Sequence, residues 1–210
     1  MISIFLDTST KNITISIIKD CEQIYFFHEE IFEDLSVKIL PLIDNALKLC
    51  SLKISDIKRI YITTGPGSFT GIRIGLTIMK VLAWSLNIEI IPLSSLELIA
   101  STNTNTDYII PYIDARRGNC FIAVYDNDLN VICNEQFTNF EEFMNKIDKS
   151  KTFKIVTYDE LNDNNRINPK IDVLKVINKH KNDAVVNPHS VNPNYLKLTE
   201  AEEKLRKKND

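Results

Sequence analysis

Apolar runs broken by short polar turns open the chain. "ISIFLD" and "ITISII" flank a polar turn from Asp7 to Asn12, and a third run lies in "CEQIYFFHEE". Together they predict a meander of three strands. The period then changes. "SVKILPLIDNALKLCSL" places apolar residues at Leu40, Ile43, Leu47 and Cys50, the spacing of one helix face. Pro41 belongs in the first turn of that helix or kinks it. "IKRIYITT" reads as a strand, followed by a glycine-rich loop and the long apolar helix "IGLTIMKVLAWSL". "IEIIPL" is a short strand and "SLELIAS" a short helix capped by Ser94 or Ser95.

A polar run without period, "STNTNTD" from Ser101 to Asp107, marks the best boundary in the chain. After it, "YIIPYIDARRGNCFIAVYD" reads as strand, turn at "ARRG" and strand. This hairpin echoes "SIFLDTSTKNITISII": each has an apolar strand, an aspartate at its end (Asp7, Asp114), a polar turn and a second apolar strand. The echo points to two related halves, unless it is only the likeness that any two hairpins share. Beyond Asp126 the pattern weakens. "TNFEEFMNKI" predicts a helix capped by Thr138 or Asn139, "NDNNRINPK" a loop, and "PNYLKLTEAEEKLRKKND" a turn at Pro193 before a charged helix or tail.

Composition adds exclusions. With 210 residues, 44% hydrophobic and 25% charged, the chain has the balance of a globular protein. A net charge of −3 calls for neither nucleic acid nor membrane lipid as a direct ligand. The start lacks a basic segment and reaches Asp7 before an apolar signal core forms, so a cytoplasmic location is expected. The stretch Ile72 to Leu86 is interrupted by Arg73, Thr77 and Lys80 and falls short of the ~20 residues that span a bilayer. The four cysteines form no C-x-x-C pair and read as reduced thiols.

Four of the five glycines (Gly65, Gly67, Gly71, Gly75) crowd into "TTGPGSFTGIRIG". Strand, glycine loop and helix often cradle phosphate. Yet Ile72 stands where a P-loop needs lysine, Thr70 stands where a dinucleotide fingerprint needs its third glycine, and no G-x-S-x-G elbow is present. The helix that follows is apolar over an arc of roughly 220° at 100° per residue. Its narrow polar stripe holds Arg73, Thr77 and Lys80, with Trp84 among them. A helix on a sheet needs only ~100° or somewhat more of apolar surface. The excess belongs to a second layer of the core or to a partner protein. Gly71 and Gly75 share a face and allow a backbone to approach closely. A Gly75→Leu substitution is expected to push helices apart and block a partner while the chain stays folded.

Catalytic signals are sparse. His28, His180 and His189 have no helical partner spacing for a metal, and His189 reads as a solvated or capping residue. Asp7, Thr8 and Ser9 at a strand end can orient magnesium or phosphate, or serve as turn residues. Arg116 and Arg117 offer an anion site or solvated charge. No nucleophile–base pair emerges.

In order along the chain stand "LDTST" with "ITISI", "LPLIDNAL", "GPGSFTGIRIGLTIMKVLA", "IPLSSLELIA", "YIDARRGNCFIAVYD" and "PNYLKLTEAE". These segments resemble the bacterial TsaB family, also called YeaZ, almost from end to end; Glu135 to Asn192 matches loosely. The resemblance implies an α/β, actin-like (ASKHA, ribonuclease H-like) fold of two related subdomains, residues 1–103 and a reduced 104–210 whose C-terminal tail can pack back on the first, with mixed sheets flanked by helices. It implies a non-catalytic scaffold or activator in the complex that forms threonylcarbamoyladenosine beside the tRNA anticodon. There TsaB dimerises with the catalytic TsaD through its first two helices, and TsaE binds the pair. ATP, magnesium and the metal-binding histidines belong to TsaD. The interface expected here is Leu40, Ile43 and Leu47 with Gly71, Ile72, Gly75, Leu76 and Met79. Asp7, Thr8 and Ser9 form a degenerate phosphate hairpin, because Ser9 stands where ASKHA enzymes have glycine. Leu35 stands where many relatives have histidine. Rival readings are an ASKHA phosphotransferase or peptidase-like enzyme, and a homodimeric storage form through the same helices. Contact with tRNA is expected to be at most indirect or within the complex, and any such contact would rest on Arg116 and Arg117 or the basic tail Lys204–Lys208.

Overall fold

The computed structural model describes residues 1–32 and 34–197. The chain begins with β1 (Ile2–Asp7), β2 (Asn12–Lys19) and β3 (Glu22–Glu30), then α1 (Leu35–Leu49), β4 (Arg59–Thr63), α2 (Phe69–Ser85) and β5 (Glu89–Leu93). After α3 (Ser95–Ala100) come β6 (Tyr108–Asp114), β7 (Asn119–Tyr125), β8 (Val131–Asn139), α4 (Phe140–Met144), β9 (Phe153–Val156), β10 (Arg166–Ile167) and α5 (Val173–His180).

The strands form two sheets of the same plan. The first has the order β3-β2-β1-β4-β5 and the second β10-β9-β6-β7-β8. In each, an antiparallel meander of three strands is followed by strands added in parallel beside the first. The hairpin echo in the sequence is therefore the visible part of a repeat that covers both sheets. This is the actin-like two-subdomain α/β fold.

Strand periodicity sorts the core into layers. On β1, Ile4 and Leu6 join one cluster and Phe5 another, as alternation across a strand requires. Ile4 and Leu6 pack with Ile39, Ile43 and Leu47 of α1 and Ile72, Leu76 and Met79 of α2. Phe5, Tyr61 and Ile91 pack on the opposite face with α3, α5 and residues Ile109, Ala123 and Tyr125 of the second sheet. A third cluster covers the far face of that sheet with Phe143 of α4. The second half is reduced: only the five-residue α4 lies between β8 and β9.

Several local expectations need correction. Pro41 lies in the seventh position of α1, beyond its first turn. Pro41 and Val37, whose carbonyl loses its helical donor, are both exposed. Ser94 caps α3 and Asn139 caps α4, each one of the two residues expected, and Asp34 caps α1. Strands β8 and β9 and helix α5 lie where the apolar pattern was too weak to read. The "NDNNRINPK" loop contributes β10, whose two residues pair in parallel with Ile155 and Val156. The charged tail from residue 198, including Lys204–Lys208, lies outside the described residues. Among the described residues no helix is long and apolar enough to cross a membrane.

A buried ionic clasp fixes α5 on α3. Glu97 is 5% exposed, and both Lys179 Nζ and His180 Nε2 lie 2.6 Å from its carboxylate. Burial raises the Glu97 pKa, but hydrogen bonds from His180 and Lys179 outweigh it and hold the group below the usual range. The same bond to Glu97, helped by Asp183 against burial, raises the His180 pKa. A histidine whose pKa is raised on folding stabilises below its unfolded value and loses that contribution as pH rises through the folded one. Thermal melts are therefore expected to show lower stability near pH ~9 than near pH ~6, and His180→Gln to flatten that difference.

Candidate functional site

The glycine loop and the β1–β2 hairpin meet backbone to backbone. Gly65 and Gly67 adopt φ of 115° and 152°, the left-handed range that side chains disfavour. A Cβ on Gly67 would lie 2.2 Å from the Ser9 carbonyl oxygen, and one on Gly71 2.1 Å from the Thr8 carbonyl oxygen. A Cβ on Gly75 would meet Thr8 Oγ1 at 2.3 Å. Hydrogen bonds run across the same contact. Ser68 N donates to the Ser9 carbonyl at 2.6 Å, and Thr8 Oγ1 donates to the Gly71 carbonyl at 2.8 Å. Ser68 itself caps α2 by accepting from Gly71 N.

Asp7, Thr8 and Ser9 are all buried, and Ser9 also borders a cavity. Asp7 is 3% exposed, and its Oδ1 accepts from Ser9 N and Thr63 Oγ1. Burial pushes its carboxyl above the usual range, against those hydrogen bonds. The backbone N–H of Ser9 is spent on Asp7 and its carbonyl on Ser68. Position 9 carries a serine side chain in place of glycine, and its Oγ is buried with no hydrogen-bond partner among the described residues.

A cavity of about 800 Å³ opens beside this contact, between the subdomains. Ser9, Gly67 and Phe69 line one side, Asp114, Arg116 and Tyr158 the other. Arg116 and Arg117 both sit at positive φ in the β6–β7 turn, with Arg116 N donating to Asp114 Oδ1 at 3.0 Å. Across the cleft, Tyr158 reaches His28 Nε2 at 3.0 Å while His28 Nδ1 lies 2.9 Å from Thr14 Oγ1. Burial lowers the His28 pKa. Nothing in the sequence spacing of His28 signalled this tie to a residue 130 positions away. Among the described residues no group of three His, Cys, Asp or Glu side chains is placed to hold a metal ion.

The expected interface set divides sharply. Ile43, Leu47, Gly71, Ile72, Gly75, Leu76 and Met79 are all buried in the chain's own core, and only Leu40, 51% exposed, faces out. The apolar side of each helix packs on the first sheet, and the glycine face of α2 receives Thr8. The exposed apolar surface is formed instead by Val37, Leu40 and Leu49 of α1 and Phe69, Val81 and Trp84 of α2. The breadth of the apolar arc on α2 was the signal for this surface; which residues lay inward was decided by β1.

The fold and the closed hairpin define an actin-like protein with a modified first hairpin. The family model described as TsaD, tRNA N6-adenosine threonylcarbamoyltransferase, matches residues 29–203. A Bacillus subtilis protein named tRNA threonylcarbamoyladenosine biosynthesis protein TsaB is 31% identical over 220 residues, covering 95% of this chain and 95% of its own. A Persephonella marina tRNA N6-adenosine threonylcarbamoyltransferase is 35% identical over 78 residues, covering 33% of this chain and 23% of its own. The solved YeaZ structure from Pseudomonas aeruginosa superposes with a TM-score of 0.75 at 17% identity, covering 93% of this chain and 99% of that one. The chain belongs to the TsaB (YeaZ) family.

The contact geometry also corrects the reading of Gly75. A leucine there would strike Thr8 of the same chain, so Gly75→Leu disrupts the fold before it tests any partner. Gly71→Ala is expected to destabilise by about 2 kcal/mol in urea unfolding, since a backbone carbonyl cannot turn away from the new methyl. That outcome opposes the ~1 kcal/mol gain of alanine over glycine in a helix interior. Gly75→Ala is expected to cost less, because the Thr8 hydroxyl can rotate at the expense of roughly one hydrogen bond.

Proposed function

We propose that the chain is a non-catalytic scaffold or activator subunit in the formation of threonylcarbamoyladenosine in tRNA. In this reading it dimerises with a TsaD-type subunit, and a TsaE-type ATPase binds the pair. ATP, magnesium and the catalytic metal belong to the partner. The observation that carries the reading is the engaged hairpin: Ser9 N donates to Asp7, Thr8 Oγ1 donates to the Gly71 carbonyl, and the Ser9 carbonyl accepts from Ser68 N. The exposed apolar surface of α1 and α2 supports it from the other side, since it supplies buried anchors for a partner.

The rival enzyme reading needs a nucleotide on this chain alone. Calorimetry of the isolated chain with Mg-ATP is expected to show no micromolar binding; such binding, lost in Asp7→Ala, favours the enzyme. Self-association through the same surface is separated by light scattering with and without the partner.

Val81 projects from α2 without supporting the core. Val81→Asp is expected to leave the melting temperature near native and to weaken binding to the TsaD-type subunit about tenfold or more, a loss of about 1.4 kcal/mol. Undiminished binding by this folded variant removes the α1/α2 surface from the account.

A further inference from the structure

The segment after α5 returns to the first subdomain and lies along α2 as a strap. Val186 N donates to the Ile90 carbonyl at 3.2 Å, and Asn194 N to the Thr64 carbonyl at 2.7 Å. Between these anchors the strap follows the polar stripe of α2. Lys80 Nζ donates to the Val191 carbonyl at 2.5 Å. Trp84 meets the His189 ring edge-on at 5.7 Å between centroids. Phe69 stacks on Tyr195 at 5.3 Å. Arg73 lies over the Phe69 ring, 3.7 Å from its centroid, and its Nε donates to Tyr195 Oη at 2.6 Å. The stripe of Arg73, Lys80 and Trp84 is thus the seat of the chain's own C-terminal segment.

Helical geometry gives this strap a place in the docking surface. With Phe69 set at zero and about 100° per residue, Arg73, Lys80 and Trp84 fall within about 60° of it. The residues buried on the sheet, Gly71, Gly75, Met79 and Ala83, fall at about 200° to 320°. Between these arcs, Thr70, Ile74, Ile78, Val81 and Ser85 form a strip at about 100° to 180°, in which Thr70, Val81 and Ser85 are exposed and Ile74 and Ile78 are half-buried against the core of the first sheet. The other helix packed on α2 is α1, which leaves it the flank opposite the strap. The strip is therefore the floor of a shallow trough, with α1 as one wall and the strap as the other.

We propose that the strap, Asn187–Tyr195, is the second wall of the surface that receives the TsaD-type subunit, and that Arg73 at its rim binds a carboxylate of that subunit. This rests on the partner reading above and adds the strap to it. The partner is that of the proposed function, and charge specifies the group it offers. Arg73 is exposed, and its polar partner among the described residues is Tyr195, which engages Nε alone. Its two terminal nitrogens remain as paired donors, held in place by the Phe69 and Tyr195 rings. A guanidinium fixed by ring stacking presents a fork that a carboxylate matches in two hydrogen bonds. The aromatic pairs on either side, Phe69 with Tyr195 and Trp84 with His189, are the residue types that anchor interfaces.

The test is calorimetric titration of the full chain with the TsaD-type subunit of the same organism, with melting curves for every variant. Arg73→Glu and Tyr195→Ala are each expected to weaken binding about tenfold or more, while Tyr195→Phe, which keeps the stack, stays within about threefold. If Tyr195→Ala melts far below the native chain, Arg73→Gln carries the test, because it removes the charge and leaves the strap seated. Native affinity in the folded Arg73 variants overturns the proposal. Loss of self-association in those variants with unchanged partner affinity also overturns it, assigning the surface to a second copy of the chain. Failure of the native chain to bind the partner is a different result: it removes the partner reading itself.

Discussion

The contact between the Thr8–Ser9 backbone and the glycine face of α2 sets the rest of the first subdomain. Here a strand end and a helix start approach until carbonyl oxygens occupy the volume of absent side chains at Gly67 and Gly71. The approach fixes the rotation of α2 about its axis. That rotation sends Ile72, Leu76 and Met79 into the core and Phe69, Val81 and Trp84 outward. It also ties the Thr8–Ser9 backbone of the hairpin to the start of α2. One packing decision therefore engages the hairpin backbone and orients the exposed apolar side of α2.

The legible part of the sequence was the part in which period and repeat agree. The meander, the glycine loop, the long helix and the hairpin echo at Asp7 and Asp114 each carry a local pattern, and the two sheets repeat one plan. The second half was harder to read because its elements are short or half exposed. Strand β8, "VICNEQFTN", is held by its ladder to β7 more than by its own preference. Strand β10 has two residues and exists only through β9. Such elements depend on tertiary partners that a window of sequence does not contain.

The site was legible in composition and illegible in direction. Spacing showed that Gly71 and Gly75 share a face, but a shared face fits a neighbouring strand as well as a second protein. The anchor chosen from the pattern was the buried side, because the largest apolar residues are also the best core residues. The polar stripe of α2 carried no sign of its partner: Arg73 and Lys80 bind a segment more than a hundred residues away. The ties from His28 to Tyr158 and from Glu97 to Lys179 and His180 were hidden for the same reason.

The central claim is that this chain supports the reaction without performing it. A tRNA-modification assay reconstituted from purified components tests it most directly, with this subunit omitted, restored as the native chain, or restored as Asp7→Asn. The account predicts that omission abolishes formation of threonylcarbamoyladenosine and that the native chain and Asp7→Asn restore it alike. Full activity without the subunit, or restoration by the native chain alone while a folded, partner-bound Asp7→Asn fails, would contradict it.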